Sequence, residues 1–268
     1  MSIISVELVP RSEKSLLKDL KLIKDNFSLI KTINVPDLLR FDIRSWEAGK
    51  YTNKFQLDII PHIRAIDINL ERPFPLLEKF VEYNIREVLV VTGDFPQDMS
   101  KKIYPTTSLD VIKKLKNELP ELKVYGAIDP YRQSISKEHD YIMRKIDVGA
   151  DGFFTQPFFD LRLMEIYAEI LSGKDVFWGI SPVLSENSVN YWETKNNVVF
   201  PADFRPNLVW NVNFATKIID FINQTNTNIY FMPIKANLYD YLSAVLTPEI
   251  NSEKNRQIKP LIEFKTKR

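Results

Sequence analysis

Short apolar runs rich in β-branched and aromatic residues recur eight times along the chain, at residues 3–9, 29–36, 57–65, 87–93, 122–128, 152–157, 176–182 and 228–234. Runs of this length, without strict alternation, suit strands buried on both faces. Most of the intervening segments carry the three-to-four-residue spacing of an amphipathic helix. In SEKSLLKDLKLIKDNF, Leu16, Leu20 and Ile23 share one face and the lysines the other. RPFPLLEKFVEYN turns Leu76, Leu77, Phe80 and Val81 inward, and TSLDVIKKLKNEL does so with Leu109, Ile112, Leu115 and Leu119. Thr107 or Ser108 is placed to cap that last helix, its hydroxyl accepting from a free first-turn N–H.

SKEHDYIMRKIDVGAD reads as a helix stopped by Gly149, the residue that most readily takes a left-handed cap. A further helix spans residues 160–171, with Asp160 in its first turn, where the helix dipole favours a negative charge. Two stretches break the rhythm. FDIRSWEAGKYTNKFQ has little helical periodicity, and residues 198–208 read as a loop before a last helix, ATKIIDFINQ. Eight strand–helix units without a linker predict an α/β fold, a single (β/α)8 TIM barrel over residues 1–250, followed by a basic tail over 251–268.

Composition narrows the chemistry. The 268 residues include no cysteine and only two histidines, His62 and His139. Disulfides, thiolate metal sites, cysteine nucleophiles and three-histidine metal centres are thereby excluded, and no metal is expected. A net charge of +1 gives no support to nucleic-acid binding. The amino terminus lacks a basic stretch followed by a long apolar run, and no run approaches membrane-spanning length, so the expected location is the cytoplasm. A homo-oligomer is compatible with the chain, though nothing in the pattern selects one.

A barrel of this kind carries its chemistry at the carboxyl ends of its strands. There the chain places Glu7, Asn34, Asp37, His62, Arg64, Asp67, Asp94, Asp129, Gln156, Lys235 and Asn237. Each has a structural reading beside the functional one. Glu7, among Val6, Leu8 and Val9, is either a buried ion pair with Arg64 or Arg11 or a functional acid. Asp94, after Gly93, is either an Asx turn or a cap on the next helix, or else a ligand contact. His62 is either a satisfied core imidazole or part of a site. The Gln156 amide binds loop backbone or the edge of a flat heterocycle, since it both donates and accepts. Phe153, Phe154, Phe158 and Phe159 are read as core, and His139 as solvated. The dinucleotide, P-loop, zinc-protease and serine-hydrolase fingerprints are missing.

In order, SVELVPR, IPHIRAID, VLVVTGDFP and GADGFFTQPFFD resemble the strand-end motifs of the methylenetetrahydrofolate reductase family over residues 3–185. INVPD with DINL is similar to the branch also found fused to homocysteine methyltransferase domains. The resemblance implies a barrel that holds FAD non-covalently and uses NAD(P)H as co-substrate. It also implies a folate substrate, with 5,10-methylenetetrahydrofolate reduced to 5-methyltetrahydrofolate. It assigns Glu7 as the acid that protonates N10 of the folate, and Asp94 as a catalytic and substrate-binding group near flavin and pterin. Gln156 is implied as a folate contact. Asn34, His62, Thr92, Gly93, Asp94, Asp129, Arg144 and Lys145 are the cofactor-binding candidates. Thr92 stands where the family often has arginine, removing one flavin contact. That divergence keeps two alternatives in view: a flavin-free or altered one-carbon enzyme linked to demethylation, and a non-catalytic folate-binding barrel.

Overall fold

The computed structural model describes residues 2–96 and 102–246. Eight parallel strands close in sequence order into one barrel: β1 (Ile4–Glu7), β2 (Ile30–Val35), β3 (Asp58–Arg64), β4 (Glu87–Val91), β5 (Lys123–Ile128), β6 (Gly152–Thr155), β7 (Asp175–Ile180) and β8 (Asn228–Phe231). Every predicted strand is present. The expected tail over 251–268 lies outside the described residues.

Nine helices surround the barrel among the described residues: α1 (Glu13–Asn26), α2 (Gly49–Thr52), α3 (Leu77–Glu82), α4 (Ser108–Glu118), α5 (Ile135–Asp147), α6 (Leu161–Ile170), α7 (Glu186–Asn196), α8 (Leu208–Thr225) and α9 (Leu238–Leu246). Leu16, Leu20 and Ile23 of α1 are wholly buried, as their spacing requires. Thr107, not Ser108, caps α4, in a reciprocal box with Asp110. Asp160 caps α6 from just outside it, accepting from the N–H groups of Arg162 and Leu163. Gly149 follows α5 with φ +102°, the left-handed stop its position predicted.

Three expectations need correction. Val81 is 80% exposed, because α3 is a short helix that docks through Leu76 and Phe80 and turns Val81 outward. The weak second unit folds as α2 flanked by single 3₁₀ turns at Trp46–Ala48 and Asn53–Phe55. The expected last helix begins earlier, at Leu208, and α9 follows β8 where no helix was expected.

Side chains alternate between the lumen and the helical shell along each strand. The lumen is filled by Ile60, Leu89, Tyr125, Phe154, Phe177, Tyr230 and Met232, a cluster separate from the main core. Phe154 stacks on Phe177 at 4.1 Å, and Tyr230 meets the Phe154 ring edge-on at 5.2 Å. At the amino-terminal mouth, Asp175 collects the Tyr125 hydroxyl at 3.1 Å and the Lys123 ammonium at 2.6 Å. The aromatic column forms a dry floor, and the polar strand ends stand above it.

Candidate active site

Above that floor opens a cavity of about 1380 Å³, lined from the strand ends and the α4–α5 side of the barrel. Glu7, His62, Thr92, Gly93, Asp94, Asp129, Arg144, Lys145 and Gln156 all reach its wall. Asn34 does not. It pairs in register with Glu7, but its side chain is fully buried a layer lower, where its Oδ1 accepts from the Ser5 hydroxyl.

Glu7 closes β1 and faces the cavity without a cationic partner among the described residues. Its Oε2 accepts from the Tyr230 hydroxyl, so the ion pair with Arg64 or Arg11 is not what forms. Burial pushes the carboxyl up to about 7, and the Tyr230 hydrogen bond opposes only part of that rise. A carboxyl so placed exchanges its proton near neutrality.

The two-residue period of β3 steps Ile60, His62 and Arg64 up the lumen side. Burial pushes the His62 imidazole down to about 4, so it is neutral. Its Nε2 is buried and has no hydrogen-bond partner among the described residues. Arg64, also buried, donates through Nε to Asp67 at 3.0 Å and through Nη2 to the backbone carbonyl of Asp94 at 2.5 Å. Asp67 in turn meets Arg44 at 3.4 Å, and Arg44 grips Asp37 through two hydrogen bonds of 2.8 and 2.5 Å. This alternating ladder ties together the loops after β2, β3 and β4.

At its end, Gly93 has φ +87°, and a Cβ there would stand 3.1 Å from the Arg64 side chain. Glycine is therefore required twice over, by backbone conformation and by space. The turn delivers Asp94 to the cavity with its carboxylate exposed, and no hydrogen bond to a described residue marks an Asx turn.

From β6, Thr155 accepts from the Gly179 N–H at 2.8 Å and the Gln156 N–H bonds to Ile128 O at 2.7 Å, leaving the Gln156 amide free over the cavity. The four phenylalanines around it are all buried, as expected of core. On the α5 side, Arg132, Lys137, Arg144 and Lys145 line the cavity together with Glu138 and Asp140. Lys145 is almost wholly buried, donates to Ala127 O and lies 4.1 Å from the Tyr141 ring centre. Burial pushes its amine down to about 8. Asp129 stands at the end of β5, its carboxyl raised by burial, accepting from the Tyr131 N–H at 3.0 Å.

Tyr230 and Arg44 escaped the sequence reading. Tyr230 lies within an apolar run, and Arg44 in the segment without periodicity, so neither carries a local signal.

The fold and this ring of strand-end groups define a TIM barrel with a polar-rimmed cavity at the carboxyl ends of its strands. The family model for methylenetetrahydrofolate reductase matches residues 41–215, and the chain belongs to that family. Among curated relatives, 5,10-methylenetetrahydrofolate reductase of Pectobacterium carotovorum is 27% identical over 150 residues, covering 54% of this chain and 50% of that protein. The Escherichia coli enzyme of the same name is 24% identical over 151 residues, covering 54% and 51%. The match thus spans about half the length of these relatives. Among solved structures, an uncharacterised Clostridium thermocellum protein that binds two copies of 5-methyl-5,6,7,8-tetrahydrofolic acid aligns with a TM-score of 0.62. It is 13% identical, with 94% of this chain and 96% of that one covered. A 2,3-dimethylmalate lyase aligns with a TM-score of 0.54 at 9% identity, covering 99% and 85%, and shares the barrel alone. Glu7 and Tyr230 lie outside the segment matched by the family model, whereas His62, Gly93, Asp94, Lys145 and Gln156 lie within it.

Proposed function

We propose that the chain reduces 5,10-methylenetetrahydrofolate to 5-methyltetrahydrofolate, using hydride from a bound reduced flavin that NAD(P)H regenerates. The observation that carries this reading is Glu7, a carboxyl in the cavity wall with no cation beside it among the described residues and a proton held to about pH 7. Opening the imidazolidine ring of the substrate needs a proton at N10, and a desolvated acid supplies it at physiological pH.

The cavity wall fits FAD. The Nε2 of His62 is a buried polar atom without a partner among the described residues. Arg132, Lys137, Arg144 and Lys145 suit a diphosphate. When bound, the flavin supplies the hydride and accepts it from NAD(P)H. The protein's own part is electrostatic and positional. Glu7 delivers the proton to N10. Asp94, held by Arg64 through its carbonyl, sets a negative charge where the ring-opened substrate becomes a cationic iminium. Gln156 offers a donor and an acceptor to the pterin edge.

The purified protein is expected to be yellow or to become so with FAD, and to oxidise NAD(P)H in a folate-dependent manner. Glu7→Gln should lose folate reduction while reduction of the flavin by NAD(P)H survives; equal loss of both removes the acid role. A second reading is favoured by the Clostridium thermocellum neighbour, which binds two copies of 5-methyl-5,6,7,8-tetrahydrofolic acid. In that reading folate occupies both halves of the cavity and no flavin binds. Calorimetry giving two 5-methyltetrahydrofolate molecules per chain, with no FAD uptake, would select it.

A further inference from the structure

We propose that Tyr230 is a positioning residue for the proton donor: its phenol holds one carboxyl oxygen of Glu7 so that the other, carrying the proton, faces the ligand cavity. The inference rests on the acid role assigned to Glu7 above and adds the residue that aims that acid.

The placement follows from the closure of the barrel. β8 pairs with β1 in parallel, with Tyr230 opposite Ser5, so the Tyr230 side chain rises from the lumen beneath Glu7, two residues further along β1. The phenol donates to Oε2. Oε1 has no hydrogen bond to any described residue, and Glu7 is only partly covered, on the cavity side. A protonated carboxyl has one oxygen that accepts and one that donates. With Oε2 engaged by a donor, the proton resides on Oε1, the oxygen presented to the ligand.

Tyr230 is suited to hold rather than to react. Its single O–H proton is committed to Glu7. Burial, followed by the nearby Glu7 charge, raises its pKa well above the ordinary phenol value, so it stays neutral. Its ring is fixed edge-on against Phe154, which stacks on Phe177. Strand pairing sets Asn34 of β2 opposite Glu7 and Tyr230 of β8 opposite Ser5, and Met232 lines the same cavity. Across the mouth stand His62 and Arg64 of β3 and Asp94 after β4. None of these but Tyr230 bonds to the Glu7 carboxyl or forms an ion pair with it.

The test is Tyr230→Phe, which keeps the ring and its packing and removes only the hydroxyl. The protonated-carboxyl infrared band, assigned by its loss in Glu7→Gln, is followed against pH in wild type and variant. Losing a donor to the ionised form should move the midpoint of this band upward by about one pH unit or more. In turnover, kcat for folate reduction should fall about tenfold or more, because the acid loses its aim. KM for folate should change little, and reduction of the flavin by NAD(P)H should be untouched. A folded Tyr230→Phe protein with an unshifted carboxyl midpoint overturns the inference whatever its turnover. So does a variant whose defect is confined to folate KM. Absence of folate turnover in the wild type overturns the proposed function instead, and the infrared titration still decides the link between Tyr230 and Glu7.

Discussion

Glu7 should be a residue that the protein keeps at the expense of its own stability, and the size of that expense can be worked out. The carboxyl has an ordinary value of 4.5 and is raised to about 7 in the folded chain, chiefly by burial. Between those values the native state binds more protons than the unfolded state, so stability falls as pH rises. The full penalty is present above pH 7 and vanishes below about 4.5. At about 1.4 kcal/mol per unit, the shift corresponds to up to about 3 kcal/mol at pH 8. Glu7→Gln keeps the shape and an acceptor for the Tyr230 hydroxyl while removing the ionisation. It should therefore be more stable than wild type at pH 8 by about 1–3 kcal/mol, and equal to it at pH 4.5. Urea unfolding of both proteins at pH 8, 7, 6 and 5 reads this directly, with equal m values confirming that only stability has changed. A stability difference that is independent of pH would refute the reasoning, since it would mean that the carboxyl titrates alike in both states. A Gln variant less stable at pH 8 would refute it more sharply.

Three further outcomes follow from the same cavity. Gly93→Ala forces φ +87° on a residue with a Cβ that meets Arg64, and should cost about 1–3 kcal/mol in chemical denaturation; FAD affinity measured by flavin fluorescence should fall with it. Lys145→Met removes a buried amine whose pKa is lowered to about 8, a group whose charge penalises the fold below that pH. The ligand-free variant should be more stable than wild type at pH 7 and weaker for FAD, yet unchanged for riboflavin, which lacks the diphosphate; equal loss for both ligands would remove the anion role. The His62 imidazole, pushed to about 4 by burial, should keep the NMR shift of a neutral ring from pH 8 down to about 5, and a midpoint above 6 would show it to be solvated.

The barrel was legible because each strand is a continuous apolar run and most helices show their buried stripe in the spacing of leucines and isoleucines. Legibility failed where length or docking decided the outcome. Val81 stands four residues from Leu77, a spacing that reads as inward, yet α3 is too short to keep that stripe against the sheet. The second unit folds through single turns held by tertiary contacts, and periodicity cannot announce those. Most of the cavity wall was readable for a simple reason: a polar residue at the carboxyl end of a barrel strand has one place to go. Asn34 shows the limit of that rule, since one step along the strand separates the cavity wall from the layer beneath. The ladder of Asp37, Arg44, Asp67 and Arg64 joins three loops and became visible only once neighbouring strands were in place. Thr92 removes the arginine expected beside Gly93, while Arg64, from the adjacent strand, fills the space under the same turn.

The bond between Glu7 and Tyr230 spans 223 residues of sequence and crosses the seam where the last strand meets the first. Contacts of such separation carry the largest loop-closure cost and belong to the slow part of folding. During synthesis β1 is made long before β8, so the Tyr230 hydroxyl reaches the Glu7 carboxyl only after the intervening six strands have been made. Joining the seam buries the carboxyl and raises it to about 7, so near neutral pH the closing barrel draws a proton from solvent. A fragment ending before β8 would hold the family's matched segment, 41–215, with its Gly-Asp turn and its glutamine, and still leave Glu7 without the Tyr230 bond.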